Sequence, residues 1–277
     1  MNGKFQQALS YFQSGNFAAA EIICDALLAN DEKNADALHL LGLISANSGN
    51  RDRAEALFSA ASSAQPGNPT LLLNLANIQS QLGKIVEASE NFNRVLSINP
   101  NHAGACNGLA NIQMVKGEFE AAELNFRRAI AIDPRHSAAL YNLGNLLYDT
   151  RRYEEAVECF KSATILQPGL NSAYNNIGLV LVELGRHAEA IEYYRKAIRN
   201  DPSFADAYTH LGIALVAMRK CDEGVQAYQQ ALTIDPSSVD ANWNLGLCLM
   251  LQGDLASGWN QLEWRWKHAS FAKRIRP

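Results

Sequence analysis

Asparagine is the residue whose placement in this chain invites a chemical reading. Asn77, Asn111 and Asn145 follow one another at intervals of 34 residues, Asn142 and Asn176 are separated by the same interval, and Asn74 and Asn244 each stand two intervals outside that pair. A carboxamide offers both an acceptor and a donor, so a row of them can pair with an extended peptide backbone whatever side chains that peptide carries. Asn107, Tyr141, Asn175 and His210 fall in or beside the same rows and complete the candidate binding set. Groups suited to catalysis show no such order. His39 and His210 are far apart, His102 and His136 have no partner at metal spacing, and there is no glycine-rich phosphate loop or nucleophile elbow. Neighbouring acids such as Glu154 and Glu155 read as solvated surface. No catalysis, metal or cofactor is expected of this chain.

The interval belongs to the elements that must hold these residues. Pro66, Pro100, Pro134, Pro168, Pro202 and Pro236 are each 34 residues apart, with only Pro69 and Pro277 outside the series. A fixed period of this length means stacked repeats, each touching its neighbours, instead of one central core. Six units, 35–68, 69–102, 103–136, 137–170, 171–204 and 205–238, are flanked by 1–34 and 239–272, with 273–277 as a basic tail. Each unit carries two apolar patterns of helical spacing, A and B, around a turn at Gly15, Gly49, Gly83, Gly117, Arg151, Gly185, Arg219 or Gly253. The proline ends helix B, because it lacks an amide proton and restricts the residue before it. Small residues such as Gly144 and Ala156 let A and B approach, and bulky Phe160 and Tyr194 fill the space beyond them.

The pattern resembles the tetratricopeptide repeat family. Tyr174, Ile177, Gly178, Leu181, Ala190, Tyr194, Ala197 and Pro202 carry the likeness in one unit, and Leu140, Leu143, Gly144, Leu147, Ala156, Phe160, Ala163 and Pro168 in the one before. The pairs Ala54/Phe58, Ala88/Phe92, Ala122/Phe126 and Gly224/Tyr228 repeat it. The resemblance implies an all-α fold, a right-handed superhelical solenoid of about eight helix hairpins. Unit 1–34 keeps Tyr11, Gly15, Ala20 and Leu27 but has Glu32 in place of proline and polar Lys4 and Gln7 at apolar positions, the pattern of an N-terminal cap.

On helix A, positions 4, 7, 8 and 11 of each unit should face the core, leaving 2, 6, 9 and 13 on the opposite stripe. In tetratricopeptide proteins that stripe lines the concave groove. Row 6 is similar to the asparagine ladder of the O-linked N-acetylglucosamine transferases at Asn74, Asn142, Asn176 and Asn244, with Leu40, Gly108 and His210 departing from it. The family's carboxylate clamp is not expected, because positions 2, 5, 6 and 9 of units two to eight hold no lysine or arginine. The expected function is a protein-interaction scaffold that binds an extended peptide or a partner helix.

The segment GDLASGWNQLEWRWK is similar to one that closes the repeat array before the catalytic domain in bacterial tetratricopeptide glycosyltransferases, through Gly253, Asp254, Gly258, Trp259, Leu262, Glu263, Trp264, Arg265 and Trp266. This likeness implies an alternative: a substrate-docking arm whose catalytic domain follows. Trp259, Trp264 and Trp266 are candidate docking residues, and the open ends of the solenoid could support self-association. A formal charge of −4 does not point to nucleic acid, no apolar run fits a membrane span, and MNGKFQQALS has no signal-peptide core, so a cytoplasmic protein is expected. Cys24, Cys106, Cys159, Cys221 and Cys248 lack paired spacing and should be free thiols.

Overall fold

The computed structural model describes the backbone of residues 2–267 and the side chains of residues 3–263. The side chains of Trp264 and Trp266, and the tail with Lys273, Arg274 and Arg276, lie outside the described residues. Among the described residues there are sixteen α-helices and no strand, an all-α solenoid of helix hairpins. The A helices are α1 (Asn2–Gln13), α3 (Ala35–Asn47), α5 (Pro69–Gln81), α7 (Ala103–Lys116), α9 (Ser137–Asp149), α11 (Asn171–Glu183), α13 (Ala205–Ala217) and α15 (Val239–Leu251). Their B partners are α2 (Phe17–Leu28), α4 (Arg51–Ala64), α6 (Ile85–Ile98), α8 (Phe119–Ile132), α10 (Tyr153–Leu166), α12 (His187–Asn200), α14 (Cys221–Ile234) and α16 (Leu255–Lys267). The chain divides into two compact units with the boundary between Ala139 and Leu140.

Each turn between A and B has one residue in the left-handed region. Six are glycines, and the other two are Arg151 (φ 61°) and Arg219 (φ 62°), so the turn geometry persists where the favourable residue is missing. The B helices end as the prolines require. Asn99, Asp133, Asp201 and Asp235 are extended, and each side chain accepts from the backbone amide two residues on, at Asn101, Arg135, Ser203 and Ser237 (2.9–3.1 Å). Acid or amide followed by proline thus builds an Asx turn that leads into the next A helix.

Within the first unit, the hairpins pack A on B and B on the following A. Asn16, Asn34, Asn50 and Asn68 cap α2, α3, α4 and α5 by accepting from a backbone amide two or three residues on. Phe58 lies over Gly42 of its own hairpin, where an added Cβ would come within 2.5 Å of the ring, and Phe92 meets Gly108 of the following hairpin. Lys4 and Gln7 of α1 are exposed.

The second unit repeats the arrangement with Phe160 over Gly144, Tyr194 over Gly178 and Tyr228 over Gly212. These rings are fully buried, and burial pushes the Tyr194 and Tyr228 phenols far above their ordinary range. From α10 to α14 no N-cap side chain bonds a backbone amide; in all of these but α11, acids in the first turn, such as Glu154, Glu189 and Asp222, complement the helix dipole instead. In both units the core side of helix A is wider than positions 4, 7, 8 and 11. Position 3 (Ala37, Leu71, Ala105, Ala173, Ala207, Ala241) and position 10 (Ile44, Ile78, Ile112, Leu146, Val180, Ala214, Cys248) are buried too. A helix between two neighbours needs more than one narrow apolar stripe.

Candidate functional site

The structure divides the asparagine rows by what they bond. In the second unit, row 6 is occupied by an internal network. The Asn176 amide donates to Asn145 Oδ1 (2.9 Å) and to the Tyr141 hydroxyl (3.3 Å). The Asn175 amide reaches Asn176 Oδ1 (3.5 Å), and His210 Nδ1 donates to Asn175 Oδ1 (2.8 Å). One polar chain therefore joins α9, α11 and α13. Asn175 is only 5% exposed, so it works inside this network and is not presented at the surface. The His210 ring lies tilted against Tyr194 with ring centroids 5.8 Å apart, and Tyr141 against Phe160 at 5.7 Å. Burial lowers the His210 pKa, against an opposing pull from Asp206 and Asp240.

The first unit holds a link of the same kind. The Asn74 amide donates to His39 Nε2 (2.7 Å), joining α3 to α5, and the His39 ring lies 5.8 Å from Phe58. Two further carboxamide pairs lie inside hairpins. Asn91 donates to Gln79 (2.8 Å) between α5 and α6, and Asn125 to Gln113 (2.9 Å) between α7 and α8. These two pairs were not among the candidate residues, although glutamine at core position 11 is their signal. Leu40 and Gly108 are buried, and no side chain fits at Gly108 because the Phe92 ring stands where its Cβ would be.

Row 9 differs from row 6. Asn77 is exposed, Asn111 and Asn145 are half-buried, and among the described residues neither Asn77 nor Asn111 has a side-chain hydrogen bond. Asn145 accepts from Asn176 and keeps its own amide unpartnered among the described residues. Asn107 and Asn142 are half-buried and engaged. Asn244 is half-buried and donates to the Asp240 carbonyl one turn back (2.8 Å). Row 9 thus keeps carboxamide groups without a side-chain partner among the described residues, whereas the row-6 asparagines are engaged.

At the C-terminal hairpin, Gly253 adopts φ 88°, Asp254 accepts from the Ser257 amide (3.1 Å), and Gly258 lies close against Gly246 and Met250. Those motif residues shape the hairpin. Trp259 is 55% exposed. The cysteines are free; Cys24, Cys106 and Cys248 are buried, and burial pushes the Cys24 thiol up to about 11. Among the described residues no cluster of His, Cys, Asp or Glu could hold a metal, and no helix is long and apolar enough to cross a membrane.

A family model described as tetratricopeptide repeat matches residues 5–69, 73–137, 107–171, 141–205 and 209–258, and a second matches 45–96. No curated protein matches. Among solved structures, YrrB, described as a TPR protein with an unusual peptide-binding site, is similar at 22% identity over 66% of this chain and 95% of its own (TM-score 0.56). A chain of the APC/C hetero-tetramer Cut9–Hcn1 is similar at 16% identity over 87% of this chain and 48% of its own (TM-score 0.75). PilF of Pseudomonas aeruginosa is similar at 22% identity over 75% of this chain and 96% of its own (TM-score 0.65). At these identities the likeness is one of fold.

Proposed function

Because the chain belongs to the tetratricopeptide repeat family, whose model matches most of its length, we propose that it is a non-catalytic scaffold holding an extended peptide or a partner helix against its A-helix face. The observation that carries this reading is the division of labour between the asparagine rows. Row 6 and its neighbours are tied together by Tyr141, Asn145, Asn175, Asn176 and His210, while the Asn77 and Asn111 carboxamides and the Asn145 amide point to no protein partner among the described residues. A polar layer held in place by its own bonds loses little rotamer freedom when a ligand arrives. Open carboxamides supply sequence-tolerant donors and acceptors. The peptide-binding site named for YrrB, a similar fold, agrees with this use of the scaffold.

Photo-crosslinking from host lysate tests it. Benzoylphenylalanine placed at Asn77 or Asn111 should capture a discrete protein, and the same group at the exposed B-helix positions Leu124 or Ile165 should not. Capture from the B face alone would refute the reading.

A second reading makes the chain the docking arm of a glycosyltransferase, with Trp259, Trp264 and Trp266 as its candidate docking residues. What favours it is the exposure of Trp259 within a segment whose glycines and Asp254 already have structural work. The coding sequence after Pro277 decides it: a nucleotide-sugar-binding domain supports this reading, and a stop codon removes it.

A further inference from the structure

The A helices of the second unit carry charge of one sign. In α9, α11, α13 and α15 the charged residues are Asp149, Glu183, Asp206 and Asp240, all exposed, with no lysine or arginine. Cations such as Lys161 and Arg195 sit instead on the B helices, paired with glutamates one turn away. None of the four acids on the A helices is in an ion pair among the described residues. Two of them, Asp206 on α13 and Asp240 on α15, hold the same position in consecutive repeats, and both act electrostatically on His210. Beside them, the same two helices expose large apolar side chains. Trp243 is 37% exposed, Leu247 39% and Ile213 36%. Trp243 and Leu247 are four residues apart and share one face of α15, and Ile213 and Leu247 hold the same position in consecutive repeats.

From this juxtaposition we propose that the α13–α15 end of the A-helix face binds a cationic peptide segment, seating a lysine or arginine between Asp206 and Asp240 and an adjacent large apolar side chain on Trp243, Ile213 and Leu247. The inference rests on the scaffold reading above and gives it a partner chemistry. Charge complementarity selects the occupant. An acidic segment would meet two uncompensated carboxylates, and a nucleic-acid backbone would be repelled by all four acids. The apolar patch explains why a cation alone is not enough. Exposed ion pairs contribute modestly and are screened by salt, whereas burying an aliphatic side chain on tryptophan and leucine adds a contribution that salt does not remove.

The test uses the full chain and three capped, fluorescein-labelled peptides in a Gly-Ser frame: one alternating Lys and Leu, one with Glu for Lys, and one with Ser for Leu. Fluorescence anisotropy should show binding of the Lys–Leu peptide only. Asp206→Asn with Asp240→Asn should weaken it about tenfold, from two exposed charge pairs, as should high salt. Leu247→Ser should weaken it with little change in salt dependence, and circular dichroism on each variant separates lost binding from lost fold. Equal binding of the Glu–Leu peptide, or a double variant that binds as wild type does, would overturn the proposal. If peptide binding survives the acid changes but is lost in Asn145→Ala, the cation site falls and the scaffold reading stands. If no peptide binds at all, the cation site falls, and the scaffold reading is left to the crosslinking outcome. Binding that appears only after residues 268–277 are deleted would overturn the choice of a separate partner, because the chain's own basic segment would then be the occupant. A dimer that the double asparagine variant dissolves would do the same in favour of a second copy.

Discussion

In the unit that ends at Ala139, the carboxamides of Gln79 and Asn91, and of Gln113 and Asn125, bond across the inside of a hairpin. In the unit that begins at Leu140, the positions corresponding to the two glutamines are Leu147, Leu181 and Leu215, all buried; the carboxamides of Asn145, Asn175 and Asn176 bond from one hairpin to the next, and a hairpin-internal carboxamide pair recurs at Asn242 and Gln261 of the last hairpin. The same residue type therefore does two jobs. Inside a hairpin it stabilises a buried polar pair and offers nothing outward. Between hairpins it organises a surface. The first unit also uses asparagine for helix caps at Asn16, Asn34, Asn50 and Asn68, a third job unrelated to binding. Abundance of asparagine is thus a poor guide to a binding face; the partner of each carboxamide decides.

The comparison can be broken most strongly at Gly108. Restoring a row-6 carboxamide there with Gly108→Asn should destabilise the protein by about 3 kcal/mol, since its Cβ would enter the Phe92 ring. A neutral outcome in urea denaturation would show that the ring can move and that glycine is not required. Next comes a contrasted pair. Gln79→Leu leaves the buried Asn91 amide without its acceptor and should cost about 2 kcal/mol without altering peptide binding. Asn176→Ala should cost only about 1 kcal/mol, because its partners are half-buried, yet weaken peptide binding. If both variants change binding equally, the distinction between hairpin-internal and surface carboxamides is void.

The smallest effect separates the two histidines. Burial lowers the pKa of both from 6.5, with Asp36 opposing at His39 and Asp206 and Asp240 opposing at His210. A base with a depressed folded pKa binds more protons when unfolded. Its contribution to stability is therefore complete above 6.5 and is lost as pH falls from that value through the folded pKa. Protonated His210 keeps its bond to Asn175, in which Nδ1 is already the donor, whereas protonated His39 can no longer accept from Asn74 unless that carboxamide turns over. Urea midpoints measured from neutral to mildly acidic pH should accordingly fall, and His39→Leu should flatten the slope more than His210→Leu does. The reverse ranking would mean that the Asn74 link carries no weight.

Much of this was legible because the chain repeats. Six prolines fix the period, and the turn residues follow from it even at Arg151 and Arg219, whose left-handed φ no propensity rule would assign to arginine. The network was harder to read. His39 with Asn74, Tyr141 with Asn176, and Asn175 with His210 are each separated by 35 residues, not 34, because position 5 of one A helix meets position 6 of the next. Rows drawn at the exact period therefore align equivalent residues and miss the ones that touch. Burial of position 5 at Asn175 and Thr209 was hidden for the same reason: it depends on the following helix.

The most direct measurement is a nitrogen-15 map of the asparagine side-chain amides, with and without the Lys–Leu peptide. The account predicts shifts at Asn145, Asn176 and Asn244, with Asn125 and Asn200 of the B helices unmoved. Asn125 donates to Gln113 and Asn200 to the Pro168 carbonyl, so both serve as internal references. Shifts confined to the B-helix amides, with the A-helix asparagines silent, would contradict it.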